Sequence, residues 1–148
     1  MDQVYGKEEL ENSTNFEATN FASSYIENLG NGKFKFSNLP ALSQISSING
    51  IVIDDYDGDG QLDLLTAGNL YPVEVETIRN DASYGLMLKG MGSGQFQAVE
   101  LTKSGFKIKG DVKSLKTLKV GSDKVIVAAL NDDRPVFLKA IGDKEVLQ

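Results

Sequence analysis

The chain has 148 residues, of which 41% are hydrophobic and 24% are charged, and its net charge is -6 at pH 7. This is the size and composition of one soluble globular domain, and the acidic balance disfavours nucleic acid as a partner. No apolar run reaches the roughly 18 residues of a membrane span, and the opening residues lack the basic start and apolar centre of a secretion signal. Because the chain has no cysteine and no histidine, any metal ion must be held by oxygen ligands.

The elements predicted in chain order are almost all strands. Residues 1–20 are polar and lack a steady period, so they are interpreted as an arm, a strand from a preceding unit or a short helix. Beyond them, short runs of β-branched and other apolar residues alternate with Gly and Asn. These runs predict strands at Ser23–Asn28, Lys33–Ser37, Gly50–Ile53, Leu62–Ala67, Tyr84–Lys89, Gln95–Val99, Val112–Leu118, Lys124–Leu130 and Val136–Ala140, with a tenth at Lys144–Leu147.

A cluster of aspartates separates the third and fourth predicted strands. The stretch IVIDDYDGDGQLDLL places five aspartates within the ten positions from Asp54 to Asp63. Carboxylates this close repel one another, so the cluster requires a positive partner. No lysine or arginine lies between Lys35 and Arg79, which makes the chain's own cations poor candidates and a metal ion the better one.

The spacing of the cluster indicates calcium. Counted from Asp55, carboxylates stand at positions 1, 3, 5 and 9, a glycine stands at position 6, and a backbone carbonyl is available at position 7. Ca²⁺ accepts 6–8 such oxygens in irregular geometry, whereas Mg²⁺ requires a stricter octahedron. An EF-hand opens in the same way but needs a bidentate Glu at position 12, where this chain has Thr66, and it needs flanking helices instead of strands. The pattern therefore predicts a strand–loop–strand calcium site.

The loop and its surroundings resemble a known repeat. The segments SSYIENLGNGKFKFSNLP before the loop and LDLLTAGN after it are similar to the FG-GAP/VCBS-type repeat of integrin α-like β-propellers and of many exported bacterial proteins. In that family a GNGxF turn closes one hairpin, and the acidic loop joins two later strands of the same blade. The resemblance implies a ligand set for calcium and gives Asp54 no ligand role. The implied ligands are Asp55, Asp57, Asp59, the Gln61 carbonyl and Asp63.

A weaker second copy follows the first. SYIENLGNGKFKF is echoed by SYGLMLKGMGSGQFQAV, with 59 residues between Tyr25 and Tyr84 and 60 between Gly50 and Gly110. A period near 60 with about four strands per unit predicts an all-β fold of antiparallel, propeller-like blades. Propellers close with about 4–8 blades, so two units indicate a fragment of a larger propeller, with self-association or the packing of the two units as a small sandwich as the alternatives. The organisation expected is an N-terminal arm or strand at 1–20, repeat unit 1 with the calcium loop at 21–80, and at 81–148 a degenerate unit 2 without the metal site.

The resemblance implies a secreted, periplasmic or cell-surface protein. The function expected is a calcium-stabilised binding or scaffolding module that has a protein or glycan ligand and no catalysis of its own. Its two units are expected to pack on further repeats or to self-associate, because propeller blades leave open sheet edges when the ring is incomplete. The alternative is part of an exported carbohydrate-active hydrolase or lyase that uses acidic residues. Against it, the clustered carboxylates are accounted for by one ion, and the other acidic stretch, Asn131–Arg134, is typical of a turn.

Overall fold

The computed structural model describes residue 4 and residues 6–14 and 16–139. Within these residues the protein is nearly all β, as predicted, with two short α-helices and one 3₁₀ turn. The helices are α1 (Lys7–Glu11) and α2 (Leu101–Ser104), and the 3₁₀ turn is Ala41–Gln44. The strands are β1 (Ser24–Gly30), β2 (Lys33–Asn38), β3 (Ile48–Asp54), β4 (Asp63–Gly68), β5 (Leu86–Gly90), β6 (Phe96–Val99), β7 (Val112–Val120), β8 (Asp123–Leu130) and β9 (Val136–Lys139).

The nine strands expected up to residue 139 are all present, with bounds close to those predicted. The tenth, at Lys144–Leu147, lies outside the described residues. The short helix considered for the N-terminal segment is formed at Lys7–Glu11. No helix among the described residues is long and apolar enough to cross a membrane.

The strands form three antiparallel sheets that cut across the sequence repeat. Among the described residues β1 pairs only with β2, the next sheet has the order β3-β4-β5-β6, and the last has the order β7-β8-β9. The expectation that the GNGxF hairpin and the acidic loop belong to one blade is therefore wrong. The second hairpin of unit 1 instead joins the first hairpin of unit 2, because β4 and β5 pair their apolar residues, with Leu64 opposite Leu88 and Leu65 opposite Met87.

The hydrophobic core lies between the four-stranded and three-stranded sheets. Alternate residues point into it, as the two-residue period of a strand requires. The sheets approach closely at Gly50, where a Cβ would lie 2.6 Å from the backbone nitrogen of Leu115. The loop before β7 adds Phe106 and Ile108, both almost fully buried. The buried core residues are Val52, Leu65, Ala67, Met87, Phe106, Ile108, Val112, Leu115, Ile126, Ala128 and Leu138.

Two asparagines form a polar seam between the sheets. Asn69 is buried, and its amide nitrogen donates to the carbonyls of Ser83 and Gly110, each at 2.8 Å. Its side-chain oxygen accepts from the Ser83 N–H at 3.0 Å and from the Ser46 hydroxyl at 2.7 Å. Asn49 of β3 donates to the carbonyls of Asn69 and of Val112 in β7, each at 2.9 Å. Every polar group of the Asn69 side chain is therefore satisfied without solvent.

One face of the β1–β2 hairpin carries exposed apolar side chains. Ile26 lies opposite Phe36, and the next pair on that face includes Phe34. All three side chains are more than half exposed. The opposite face turns towards the four-stranded sheet, where the ring of Tyr25 meets Phe96 edge-on with centroids 5.8 Å apart. The hairpin therefore packs on one side and leaves an apolar surface on the other.

Replacing Asn69 should destabilise the protein far more than replacing its second-unit counterpart Asn131. Asn69→Ala removes the side-chain partner of the Ser83 N–H and of the Ser83 and Gly110 carbonyls, whereas the Ser46 hydroxyl keeps Asn80, and we expect a loss of about 3 kcal/mol in the free energy of unfolding. Urea denaturation measures this loss. Asn69 has a φ of 111°, so Asn69→Gly serves as a second variant that removes the side chain without adding backbone strain. Asn131→Ala, at an exposed turn, should change the stability by less than about 0.5 kcal/mol. Equal losses of unfolding free energy in Asn69→Ala and Asn131→Ala would contradict the stabilising role of the Asn69 side chain.

Candidate metal centre

The loop between β3 and β4 is folded around the carboxylate of Asp55. One of its oxygens accepts the N–H groups of Gly58 at 2.8 Å and Asp59 at 3.1 Å, and the other accepts the N–H of Gly60 at 2.9 Å. Gly58 and Gly60 have φ values of 75° and 84°, which glycine adopts without a steric penalty. The alternation of Asp and Gly therefore lets the backbone coil tightly around one side chain.

The next two aspartates continue the coil. One oxygen of Asp57 accepts the N–H of Asp59 at 3.2 Å, and one oxygen of Asp59 accepts the N–H of Gln61 at 2.8 Å. Aspartate side chains commonly bond the backbone two residues ahead in this way, which favours turns over regular structure. Gln61 itself is exposed, and its side chain lies near Gly92 in the β5–β6 turn.

Asp63 closes the loop and is the only fully buried member of the cluster. It begins β4 with no exposed surface. One of its oxygens accepts the N–H of Tyr56 at 2.9 Å, and the other accepts the N–H of Gly90 at 2.8 Å. A side chain at Gly90 is excluded, because a Cβ there would lie 2.2 Å from the carbonyl oxygen of Leu62. Asp63 therefore joins the start of the loop to the end of β5.

The coil brings three of the predicted ligands together. Asp55, Asp57 and Asp63 each offer a carboxylate oxygen, and these oxygens all lie within 4.8 Å of one another. Asp63 is buried, Asp55 is half-buried and Asp57 is exposed, so the cluster opens to solvent on one side. Asp59 is not part of this close group. The donor set consists only of oxygens, and it fits a hard divalent cation such as calcium, which would be held by these carboxylates.

Lysines from distant strands neutralise part of the cluster, which corrects a sequence expectation. Lys89 of β5 forms ion pairs with Asp57 and with Asp59, the latter at 2.8 Å. Lys124 of β8 forms an ion pair with Asp54. The prediction that the chain's own cations are poor candidates was wrong, because it considered only lysines near the loop in sequence. The sheets deliver these two from 32 and 70 residues away.

The ion pairs of Lys89 shift the pKa values of Lys89 itself and of Asp59. Hydrogen bonds with Asp57 and then with Asp59 raise the pKa of Lys89 above its ordinary value. The hydrogen bond from Lys89 is also the largest cause that lowers the pKa of Asp59. Lys89 and Asp59 therefore carry full charge over the physiological pH range.

Tyr56 and Asp54 lie at the beginning of the loop. Burial, followed by the charge of Asp54, raises the pKa of the Tyr56 hydroxyl to about 12. Thr117 of β7 lies near this hydroxyl, but the two make no hydrogen bond of ordinary geometry. Asp54 accepts the N–H of Asp55 at 3.1 Å and is not a member of the close carboxylate group.

The corresponding connection in the second unit has a different chemistry. β7 and β8 are joined by a tight turn in which Val120 pairs with Asp123. Asp123 is the only carboxylate between Leu118 and Lys124, and it forms an ion pair with Lys139 at 2.7 Å. Among the described residues, the carboxylates of the first loop are the only group of three that converges.

The three antiparallel sheets, with an aspartate loop between two paired strands, define an all-β protein built of propeller-like blades. Residues 16–66 match the family model of the FG-GAP-like repeat, so the chain carries a repeat of that family. The matched range includes every predicted ligand and ends within β4, before the second predicted unit. Comparison with curated proteins and with solved structures found no significant match.

Replacing Asp63 by the isosteric Asn should destabilise the protein even without calcium. The amide can accept on one atom only, so its NH₂ group would face either the Tyr56 or the Gly90 N–H, and we expect a loss of about 1–3 kcal/mol. Urea denaturation in the presence of a chelator measures the loss. Asp59→Asn, at an exposed position of the same loop, is the matched control and should cost less. An Asp63→Asn protein as stable as the parent in chelator would contradict the anchoring role.

Proposed function

We propose that this protein is a calcium-stabilised binding or scaffolding module of the FG-GAP/VCBS type that acts outside the cytoplasm, as a secreted, periplasmic or cell-surface protein. The observation that carries the proposal is the convergence of the Asp55, Asp57 and Asp63 carboxylates in a loop of the FG-GAP-like repeat. Asp59 and the carbonyl of Gln61 complete the ligand set by resemblance to the family.

Calcium suits this loop better than other hard cations. The backbone N–H groups already hold the carboxylates in a coil, so binding requires little reorganisation. The ligands differ in burial and approach, an irregularity that Ca²⁺ tolerates and Mg²⁺ does not. When bound, the ion would supply positive charge to carboxylates that otherwise repel one another.

A groove next to the loop supports a binding role. It has a volume of about 330 Å³ and lies between Gly60–Leu62 of the loop and the β5–β6 turn. Tyr25 and Phe96 provide aromatic surface in it, and Gln95 provides an amide. Rigid aromatic rings beside a few polar groups are typical of ligand sites for sugars and peptides. Since the loop forms one wall, we propose that calcium shapes the groove for a glycan or protein ligand.

The exposed apolar surface supports packing on further repeats. In the four-stranded sheet, the β3–β4 hairpin pairs with the β5–β6 hairpin through β4 and β5. The β1–β2 hairpin corresponds to β5–β6 in the sequence repeat but has no such partner along β1 among the described residues. Its apolar face, with Phe34 and Phe36, suits a further blade packed against the hairpin. Self-association of the chain through the same surface is the alternative.

Catalysis by the acidic residues is the second candidate function, and the contacts of the loop disfavour it. A general acid or base needs a carboxylate that is free to exchange a proton with a substrate. Here Asp55 and Asp63 have both oxygens bonded to backbone N–H groups, and Asp57 and Asp59 are paired with Lys89. We therefore propose a module without catalysis of its own.

Calcium should raise the melting temperature of the purified protein in a concentration-dependent way. An ion that binds the native loop and not the unfolded chain stabilises the fold by mass action. We expect a modest dissociation constant, on the order of 10⁻⁴–10⁻³ M, as in extracellular modules. Differential scanning fluorimetry in chelator and in millimolar calcium measures the shift.

Matched Asp→Asn variants locate the effect. Asp57→Asn removes a converging carboxylate and should abolish most of the shift, while Asp132→Asn, in the exposed turn after β8, should leave it intact. A melting temperature that is the same in chelator and in calcium would overturn the proposal.

A binding module should give ligands on arrays and no turnover in activity panels. We expect weak glycan or protein binding that is reduced by chelator, because the loop forms a wall of the groove. Glycan and protein arrays probed with and without calcium test this, and panels of glycoside hydrolase and lyase substrates test the enzyme alternative. Turnover that is lost on replacing a carboxylate outside Asp54–Asp63 would favour the enzyme.

A further inference from the structure

We infer that Lys89 is a built-in counter-ion of the aspartate loop and that it lowers the calcium affinity of the loop by competing with the ion for Asp57 and Asp59. This inference rests on the calcium binding proposed above. Lys89 lies outside the loop, in β5 of the neighbouring hairpin, and it would control how strongly the loop binds calcium.

The first step of the argument is the distribution of partners over the carboxylate oxygens. In Asp57 and in Asp59, the Oδ1 atom accepts a backbone N–H and the Oδ2 atom is bound to the Lys89 ammonium. The loop backbone leaves one oxygen free on each residue, and Lys89 takes both. A metal ion ligated by Asp57 or Asp59 would therefore share that carboxylate with the Lys89 ammonium group.

The second step is the position from which Lys89 reaches the loop. It lies in β5, which is paired on both sides, with β4 and with β6. Its backbone is opposite Gln97 of β6, and continuing the register of Leu64 with Leu88 places it beside Asp63. The sheet holds the lysine beside the loop whether or not an ion is bound, so the ammonium group is always within reach of the site.

The third step is electrostatic. Asp57 belongs to the converging carboxylate group and is at the same time bound to Lys89. A dication and an ammonium group that share a carboxylate repel each other, and the Lys89 side chain is only 33% exposed, so water screens this repulsion incompletely. Calcium must therefore bind beside an unfavourable charge or displace the ammonium group from both aspartates. Either event weakens binding.

Lys124 provides a matched comparison inside the same cluster. It also reaches the loop from a strand of another hairpin and also forms an ion pair with an aspartate. Its partner is Asp54, which is outside the converging group. Replacing Lys124 changes the net charge by the same amount as replacing Lys89. It removes no partner from the converging carboxylates, however, because Lys124 is bound to Asp54.

The test compares calcium binding by the parent, Lys89→Gln, Lys89→Arg and Lys124→Gln proteins, by isothermal titration calorimetry and by melting in chelator and in calcium. We expect Lys89→Gln to bind calcium about tenfold more tightly, since it removes a full charge a few ångströms from the ion. The same variant should melt below the parent in chelator, where Asp57 and Asp59 lose their partner, and the difference should shrink or reverse in calcium. Lys89→Arg should resemble the parent. Lys124→Gln should gain no more than about twofold, because Lys124 is bound to a carboxylate outside the converging group and its side chain is 58% exposed, so water screens its charge.

A second measurement uses only the parent protein and therefore does not depend on the folding of any variant. In the parent protein, the NMR signals of the Lys89 side chain should move during a calcium titration, while those of Lys124 should move much less. Equal calcium affinity of the parent and Lys89→Gln, an equal gain in Lys124→Gln, or Lys89 signals that stay fixed while calcium binds would overturn the inference and leave the calcium proposal standing. Failure of every protein to bind calcium would overturn both.

Discussion

Asp63 is fully buried, and its two oxygens accept N–H groups from two separate parts of the chain, Tyr56 at the start of the loop and Gly90 at the end of β5. A buried ionised carboxylate is very costly unless it is bonded in this way. The loop can therefore close only in a conformation that delivers both donors. The convergence of Asp55 and Asp57 with Asp63 follows from this closure, since the carboxylates alone would repel one another. The shape of the candidate metal centre thus depends on backbone hydrogen bonds to its carboxylates.

β4 connects this constraint to the rest of the fold. It begins with Asp63, it is followed directly by Asn69, and both side chains are buried with hydrogen bonds to other elements. Between them, Leu65 and Ala67 enter the core. Burial of apolar area supplies most of the favourable free energy and, together with the turns, favours one register. The polar bonds at the two ends of β4 reinforce that register, because a shift by one residue would leave a buried carboxylate and a buried amide without partners.

The parts of this structure that depend on local patterns could be predicted from the sequence, and those that depend on distant pairing could not. Short apolar and β-branched runs bounded by Gly or Asn predicted the nine described strands, and the spacing of Asp and Gly predicted an acidic loop between β3 and β4. The grouping of strands into sheets was predicted wrongly, since nothing within unit 1 shows that β4 pairs with β5. For the same reason Lys89 was missed. It follows an apolar run in a predicted strand, and its proximity to Asp57 arises only from the pairing of β4 with β5.

The two long hairpins β3–β4 and β7–β8 show what the aspartate loop adds to the fold. Both bury alternate residues in the same core, Leu65 and Ala67 from one and Ile126 and Ala128 from the other. β7–β8 achieves this with a tight turn whose single carboxylate is paired with Lys139. The turn shows that a hairpin of this kind does not require an acidic loop for its packing. In β3–β4 the five aspartates instead introduce repulsion, which Lys89 and Lys124 offset only in part, because two ammonium groups face five carboxylates. The loop therefore retains an excess of negative charge that packing does not explain and that a bound dication would neutralise.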